Sequence, residues 1–181
     1  MHPSASYTHT AISLHWLVAI AIVATFSLGL YMQDLPLSPG KLRFYSWHKW
    51  AGVTIFLLVL LRILWRLAHR PPAPPAGVPA WQQRAAELVH VLLYVLMVAV
   101  PLSGWLMSSA KGVQTVWFGV LPLPDLLGKN KELGDLLAAV HKTLNFSMAG
   151  LVLIHTGAAL KHHLIDRDEV LARMLPFLKK P

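Results

Sequence analysis

The strongest constraint on the fold of this chain is a set of four long apolar segments. They cover roughly residues 11–31, 46–67, 86–107 and 138–160. Each segment is close to the about 20 residues that a helix needs to cross the hydrocarbon layer of a bilayer. Charged residues make up only 13% of the chain, about half of the share that is usual in soluble domains. The sequence therefore predicts an all-α integral membrane protein, a bundle of four transmembrane helices.

We expect the whole chain to form a single membrane domain with short connections. These are a Pro-rich inner loop over 68–85, an outer loop over 108–137 and a short inner tail over 161–181. The outer loop contains Trp117, Phe118 and an amphipathic-looking run from Leu126 to Leu137, which favours an interfacial lid. The first apolar segment lacks the basic start and the cleavage site of a signal peptide, so we interpret it as a retained helix.

The basic residues indicate the orientation in the membrane and disfavour one class of partner. The net charge is +8, but the bases lie in loops and at segment ends rather than in a patch on a folded domain, so we expect no nucleic-acid partner. Nine of them fall on the side of the Pro-rich loop and the tail: Arg62, Arg66, Arg70, Arg84, Lys161, Arg167, Arg173, Lys179 and Lys180. Seven fall on the other side: Lys41, Arg43, Lys49, Lys111, Lys129, Lys131 and Lys142. This difference favours cytoplasmic termini in a multi-pass protein of the bacterial inner membrane.

Polar and small residues recur in the apolar segments at a spacing of fourteen. The pairs are His15 and Gly29, His48 and Arg62, His90 and Gly104, and His141 and His155. On a helix, fourteen residues return to within about 40° of the starting direction and advance about 21 Å. Because successive spans run in opposite directions, the pairs sort into two levels. The outer level holds Gly29, His48, Gly104 and His141, and the inner level holds His15, Arg62, His90 and His155.

Two levels of histidines in a membrane bundle are typical of axial ligands for two stacked haems. Ionisable side chains are costly inside a span and usually have a function there. The chain has no cysteine, so a haem can be held only by His or Met. The outer level offers His48 with His141. At the inner level we favour His15 with His155, because two ligands on the last span stack both haems along one seam. The pairs of His90 with His15 or with His155 remain open.

The other residues at the two levels have supporting roles in this interpretation. Gly29 and Gly104 would leave room where a macrocycle presses against the backbone. Arg62 would pair with a haem propionate or extend to the inner headgroups. His90 would contact a propionate or lie near a quinone. We expect His162 and His163, which follow the last span, to lie at the solvated interface.

Two other interpretations of the histidines are weaker. Single histidines in helices are commonly packed and hydrogen-bonded, but five of them at two matched depths are harder to explain in that way. A divalent-metal transporter would gather mixed histidine and carboxylate ligands near the midplane. None of the eight acidic residues lies well inside a predicted span.

Four motifs make the chain resemble the bacterial cytochrome b561 family of four-helix dihaem proteins. They are His15-Trp16, His48-Lys49-Trp50-Ala51-Gly52, Pro101-Leu102-Ser103-Gly104-Trp105 and the pair His141 and His155. The chain also resembles the cytochrome b subunits of membrane formate dehydrogenases and hydrogenases. In those relatives the last helix supplies one ligand to each haem and the first two helices supply the others. This resemblance supports the pairs of His15 with His155 and His48 with His141.

The resemblance also implies a function for the chain. It implies two haem b groups that carry electrons between a small-molecule or protein donor at the periplasmic face and ubiquinone in the lipid. Some members are described as oxidising superoxide to oxygen, and the outer basic residues could make a positive mouth that attracts an anion. An alternative is a haem-bearing membrane anchor that relays electrons for a dehydrogenase or hydrogenase partner.

Overall fold

Four long helices form the protein, as the sequence predicted. The computed structural model describes residues 6–73 and 77–178. The helices are α1 (His9–Gln33), α2 (Pro39–Ala68), α3 (Ala80–Ala110) and α4 (Lys131–Lys161). All four are long and apolar enough to cross a membrane. Their many exposed apolar side chains are suited to contact with lipid.

Capping residues outside the apolar segments set where three of the helices begin. The side chains of Thr8, Ser38 and Asn130 accept hydrogen bonds from backbone N–H groups in the first turns of α1, α2 and α4. Each bond satisfies one of the donors that a helix leaves unpaired at its start. The helices are therefore longer than the apolar segments that identified them. The connection from α2 to α3 is correspondingly shorter than the expected loop over 68–85, because residues 80–85 belong to α3.

The buried core lies between the two histidine levels. Consecutive helices pack against each other, α1 on α2, α2 on α3 and α3 on α4. A central cluster contains residues from all four helices: Val18, Ile55, Val59, Met97, Val100 and Met148. Each of its members falls between the two polar positions of its own helix in the sequence. An apolar layer thus separates the outer level from the inner level.

The outer connection folds against α2 and differs from the expected interfacial run. Two short antiparallel strands, β1 (Val116–Trp117) and β2 (Leu121–Pro122), form a hairpin. Its turn contains Phe118 and Gly119, both with positive φ, at 50° and 72°. The predicted run from Leu126 to Leu137 is not one element, because residues from Lys131 onward are the first turns of α4.

The inner tail folds back under the bundle instead of extending away from it. A π-helical turn, His162–Asp166, follows α4, and the chain reverses at Arg167, which has a φ of 55°. Trp16 Nε1 then donates to the carbonyl oxygen of Met174 at 2.8 Å. The tail therefore covers the inner end of α1. Residues 74–76 of the Pro-rich loop, and Lys179 and Lys180 of the predicted inner charge set, lie outside the described residues.

Candidate functional site

The outer level brings together the imidazoles of His48 and His141. His48 lies in the third turn of α2, and His141 lies at a matching depth in α4. Their ring centroids are 6.3 Å apart, and the ring planes are inclined by 83°. Both rings line one pocket, together with residues of all four helices that include Thr25, Pro101 and Asn145. The two rings thus face a shared space inside the bundle.

Hydrogen bonds fix the orientation of the His141 ring. Its Nδ1 lies 3.0 Å from the carbonyl oxygen of Val100 and 2.9 Å from Ser103 Oγ. A carbonyl oxygen can only accept, so Nδ1 must carry the proton. In the neutral ring, the lone pair is then on Nε2, which is the form that binds a metal through Nε2.

The other outer ring, that of His48, has an unsatisfied nitrogen. Its Nδ1 is buried and, within the described residues, has no hydrogen-bond partner. A buried polar atom without a partner costs about 1–3 kcal/mol. Such a cost is commonly retained where a side chain has a functional role.

Two glycines make the close packing of the outer rings possible. A Cβ built on Gly104 would lie 3.0 Å from His141 Cε1, and one on Gly29 would lie 3.2 Å from His48 Cε1. Both distances are below the ordinary contact range that begins at 3.4 Å. In the structure an imidazole lies against each of these glycines, and their predicted contact with a macrocycle stays a prediction.

Three histidines meet at the inner level. The ring centroids of His15 and His155 are 6.2 Å apart, and those of His90 and His155 are 5.3 Å apart. His155 lies between the other two, so the sequence and the structure agree that the inner level has more imidazoles than one haem requires. The two pairs that involve His155 differ in spacing, because the His90 ring lies closer to His155 than the His15 ring does.

Arg62 faces the inner histidines and not the headgroups. Its Nη2 donates to His15 Nδ1 at 2.9 Å, and its guanidinium carbon lies 5.2 Å from the centroid of the Tyr94 ring. The guanidinium carbon of Arg66 lies 5.6 Å from the centroid of the same ring. Because a guanidinium only donates, Nδ1 of His15 accepts, which is the reverse of the arrangement at His141.

The ring spacings test whether a haem iron fits between the imidazoles. With a metal–nitrogen bond of about 2.0 Å and a ring centroid roughly 1.1 Å beyond the nitrogen, two opposed imidazoles have centroids about 6.2 Å apart. The pairs of His48 with His141 and His15 with His155, at 6.3 Å and 6.2 Å, agree with this value. The pair of His90 with His155 is about 0.9 Å too close. By ring spacing, the pairs of His48 with His141 and His15 with His155 therefore fit an iron between their imidazoles better than His90 with His155 does.

Sequence reasoning missed the polar partners of the ligand candidates. Ser103 and Tyr94 were assigned no role, although Ser103 stands beside Gly104 in one of the motifs. A helical period places residues 100 and 103 on one face, and this was the available signal. It does not reveal that the face meets the His141 ring, because that contact depends on how α3 and α4 pack.

A third polar group lies at the end of α4, where the sequence suggested a solvated interface. His162 Nδ1 is 2.5 Å from Asp168 Oδ2 and 3.3 Å from Asp166 Oδ2, and only 16% of the His162 side chain is exposed. Lys161 Nζ also contacts Asp166 Oδ2, at 2.6 Å. These contacts fasten the turn after α4 to the start of the tail.

Comparison with known proteins identifies relatives along nearly the whole chain. The family model described as prokaryotic cytochrome b561 matches residues 6–177. Cytochrome b561 homolog 2 of Escherichia coli strain K12 is 35% identical over 164 residues, which cover 90% of this chain and 87% of that protein. Cytochrome b561 homolog 1 of the same strain is 30% identical over 171 residues, 94% of this chain and 97% of that protein.

A further relative has a name that states an activity. A protein of Yersinia pestis named probable superoxide oxidase CybB is 30% identical over 177 residues, 94% of this chain and 96% of that protein. The family model matches almost every residue, and the four apolar helices indicate a multi-pass bacterial membrane protein. The family carries out electron transfer and implies b-type haem. The chain belongs to the prokaryotic cytochrome b561 family.

Proposed function

We propose that this chain is a dihaem cytochrome with one haem b at each level. His48 and His141 are the axial ligands of the outer haem, and His15 and His155 are those of the inner haem. The observation that carries the assignment is the centroid spacing of 6.3 Å and 6.2 Å in these two pairs. A bound haem would supply reversible one-electron redox chemistry.

The residues around the ligands orient them and balance charge. The carbonyl of Val100 keeps the proton of His141 on Nδ1, which leaves Nε2 for the metal. At the inner level, Nε2 of His15 would be free to bind a metal once the proton of the neutral ring lies on Nδ1 instead. Nδ1 would then no longer accept from Arg62, 2.9 Å away, and the guanidinium would be free for another acceptor. Arg62 is also placed to pair with a propionate.

Ubiquinone is the proposed acceptor, and the donor reacts at the periplasmic face. Superoxide is the donor that we favour, since the Yersinia pestis relative is named a probable superoxide oxidase. Lysines at the outer end would attract an anion. Several of them are held in place, for example Lys49, whose Nζ donates to the carbonyl of Val113 at 2.9 Å. Both termini are proposed to be cytoplasmic. A reporter that works only in the cytoplasm should therefore be active when it is fused to the C-terminus.

The decisive experiment is haem stoichiometry in single histidine variants. The purified wild type should contain two haems b per chain. His48→Ala and His141→Ala should each lose the outer haem and retain one, and His15→Ala and His155→Ala should each lose the inner haem. His90→Ala is the matched control and should retain two. A wild type without haem refutes the function, and loss of a haem in His90→Ala with retention in His15→Ala refutes the inner pair.

Electron transfer itself needs a separate assay. Protein in liposomes that contain ubiquinone should reduce the quinone when superoxide is generated outside, and the haem-deficient variants should not. Reduction that is equally fast with His48→Ala would exclude the outer haem from the route. Quinone reduction by a different donor, with no response to superoxide, would retain the cytochrome and reject the substrate.

A further inference from the structure

Ser103 is a buried polar residue in an otherwise apolar stretch of α3. It is 5% exposed, and its hydroxyl lies between two groups on different helices. Oγ donates to the carbonyl oxygen of Val100 at 2.7 Å and lies 2.9 Å from His141 Nδ1. With the 3.0 Å contact between Nδ1 and the Val100 oxygen, the three atoms form a closed triangle.

The donors and acceptors of this triangle can be assigned without ambiguity. The carbonyl of Val100 only accepts, so the Ser103 hydroxyl and the His141 Nδ1–H both donate to it, and the protonated Nδ1 has no lone pair for the hydroxyl proton. The Ser103 hydroxyl gives its proton to Val100, which leaves an oxygen lone pair for the N–H of His141. Nδ1 therefore has two acceptors at once, and a rotated ring would leave its N–H unsatisfied in an apolar layer.

The next residue in the chain completes the support of the ring. A Cβ at Gly104 would lie 3.0 Å from His141 Cε1 and 3.4 Å from Nδ1. This turn of α3 therefore binds the His141 ring through the Ser103 hydroxyl, and the missing side chain of Gly104 leaves room for the ring. His48 has no comparable support, since its Nδ1 is without a partner in the described part of the chain. Of the two outer imidazoles, His141 is therefore the one whose orientation hydrogen bonds fix.

We propose that Ser103 is the positioning residue of the outer haem site. It acts through His141, by holding the ring so that Nε2 faces the metal and by polarising the Nδ1–H bond. A polarised N–H makes the imidazole a more basic ligand and stabilises the oxidised iron. The proposal rests on the proposed function, because it needs a haem on His141, and it adds a residue that tunes that haem.

The test compares Ser103→Ala with a matched serine on the same helix. Ser109 is also buried, at 1% exposed, but its Oγ bonds the Trp105 carbonyl and the Leu126 N–H, away from the histidines. Removing a hydrogen-bond partner of a metal ligand costs about 10- to 100-fold in metal affinity. We expect haem transfer from the outer site of purified Ser103→Ala to apomyoglobin to be faster by this factor, with an unchanged inner site. Ser109→Ala should match the wild type.

Midpoint potentials separate positioning from simple packing. The outer haem is first identified in the wild type as the one that His48→Ala lacks. In Ser103→Ala the midpoint potential of the outer haem should rise, because a less polarised imidazole stabilises the oxidised iron less. Ser103→Thr keeps the hydroxyl and should restore the wild-type potential. An outer potential in Ser103→Ala equal to that of the wild type, or an equal shift in Ser109→Ala, overturns the proposal. Either of these results, in a wild type that contains two haems, rejects only the proposed role of Ser103. A wild type without haem rejects the proposed function.

Discussion

Substitution of Gly104 by alanine tests the packing that holds the outer imidazole. The added Cβ would lie 3.0 Å from His141 Cε1, and ordinary contacts begin at 3.4 Å. The ring must therefore move by about 0.4 Å, which exceeds the roughly 0.2 Å within which metal–ligand distances normally fall. Overpacking of this kind costs about 1–3 kcal/mol, so we expect the outer haem to bind about 5- to 150-fold more weakly.

The helix itself should not suffer from the same change. Alanine is favoured over glycine in a helix interior by about 0.5–1 kcal/mol, so any loss at Gly104 comes from the contact and not from the backbone. Gly150, in the middle of α4, is the matched control, because a Cβ there meets nothing within 4 Å. Gly150→Ala should keep both haems at wild-type affinity.

The assay is the haem-to-protein ratio after timed exposure to apomyoglobin, read from the absorption spectrum. Gly104→Ala should lose one haem quickly and the other at the wild-type rate. Gly29→Ala, with a contact of 3.2 Å to His48 Cε1, should show the same loss at a smaller size. Equal retention of the outer haem in Gly104→Ala and Gly150→Ala would show that the glycine contact is irrelevant to haem binding.

Three further changes probe other parts of the molecule. Arg62→Met removes a positive charge 2.9 Å from His15, so the inner midpoint potential should fall in a redox titration while Arg62→Lys stays near the wild type; an unchanged potential in Arg62→Met contradicts this. Asp168→Ala removes the contact with His162 and should destabilise the tail by about 1 kcal/mol, seen as a lower unfolding temperature with unchanged haem spectra. Trp117→Phe removes the bond of Nε1 to Thr54 Oγ1, at 3.3 Å, and should speed proteolysis within residues 111–130; unchanged cleavage would show that this bond does not hold the hairpin.

The four helices and the two histidine levels follow from sequence patterns alone. Apolar segments of about 20 residues predict the four helices. The spacing of fourteen residues predicts the two levels, because helical geometry converts a distance in sequence into depth and direction. The same geometry placed His48 opposite His141 before any packing was known. What the spacing left open was the inner pair, since His15, His90 and His155 share one depth.

The details that the sequence did not predict depend on contacts between distant segments. The bond of Arg62 to His15 joins residues 47 positions apart, and the bond of Trp16 to Met174 joins residues 158 apart. No local pattern encodes such contacts. The hairpin was missed for another reason: its turn places Phe118 at a positive φ, a conformation that aromatic residues rarely adopt and that the sequence did not suggest.

If both histidine levels hold a haem as proposed, the apolar layer between them would make electron transfer through the protein sensitive to the membrane voltage. The fourteen residues from His141 to His155 correspond to about 21 Å along α4, about two-thirds of a hydrocarbon thickness of roughly 30 Å. One elementary charge that crosses the full membrane potential exchanges about 2.3 kcal/mol per 100 mV. In the proposed orientation, an electron that passes from the outer to the inner level moves toward the negative side and works against about 1.6 kcal/mol per 100 mV. An energised membrane should therefore slow this inward step, and an uncoupler should release it.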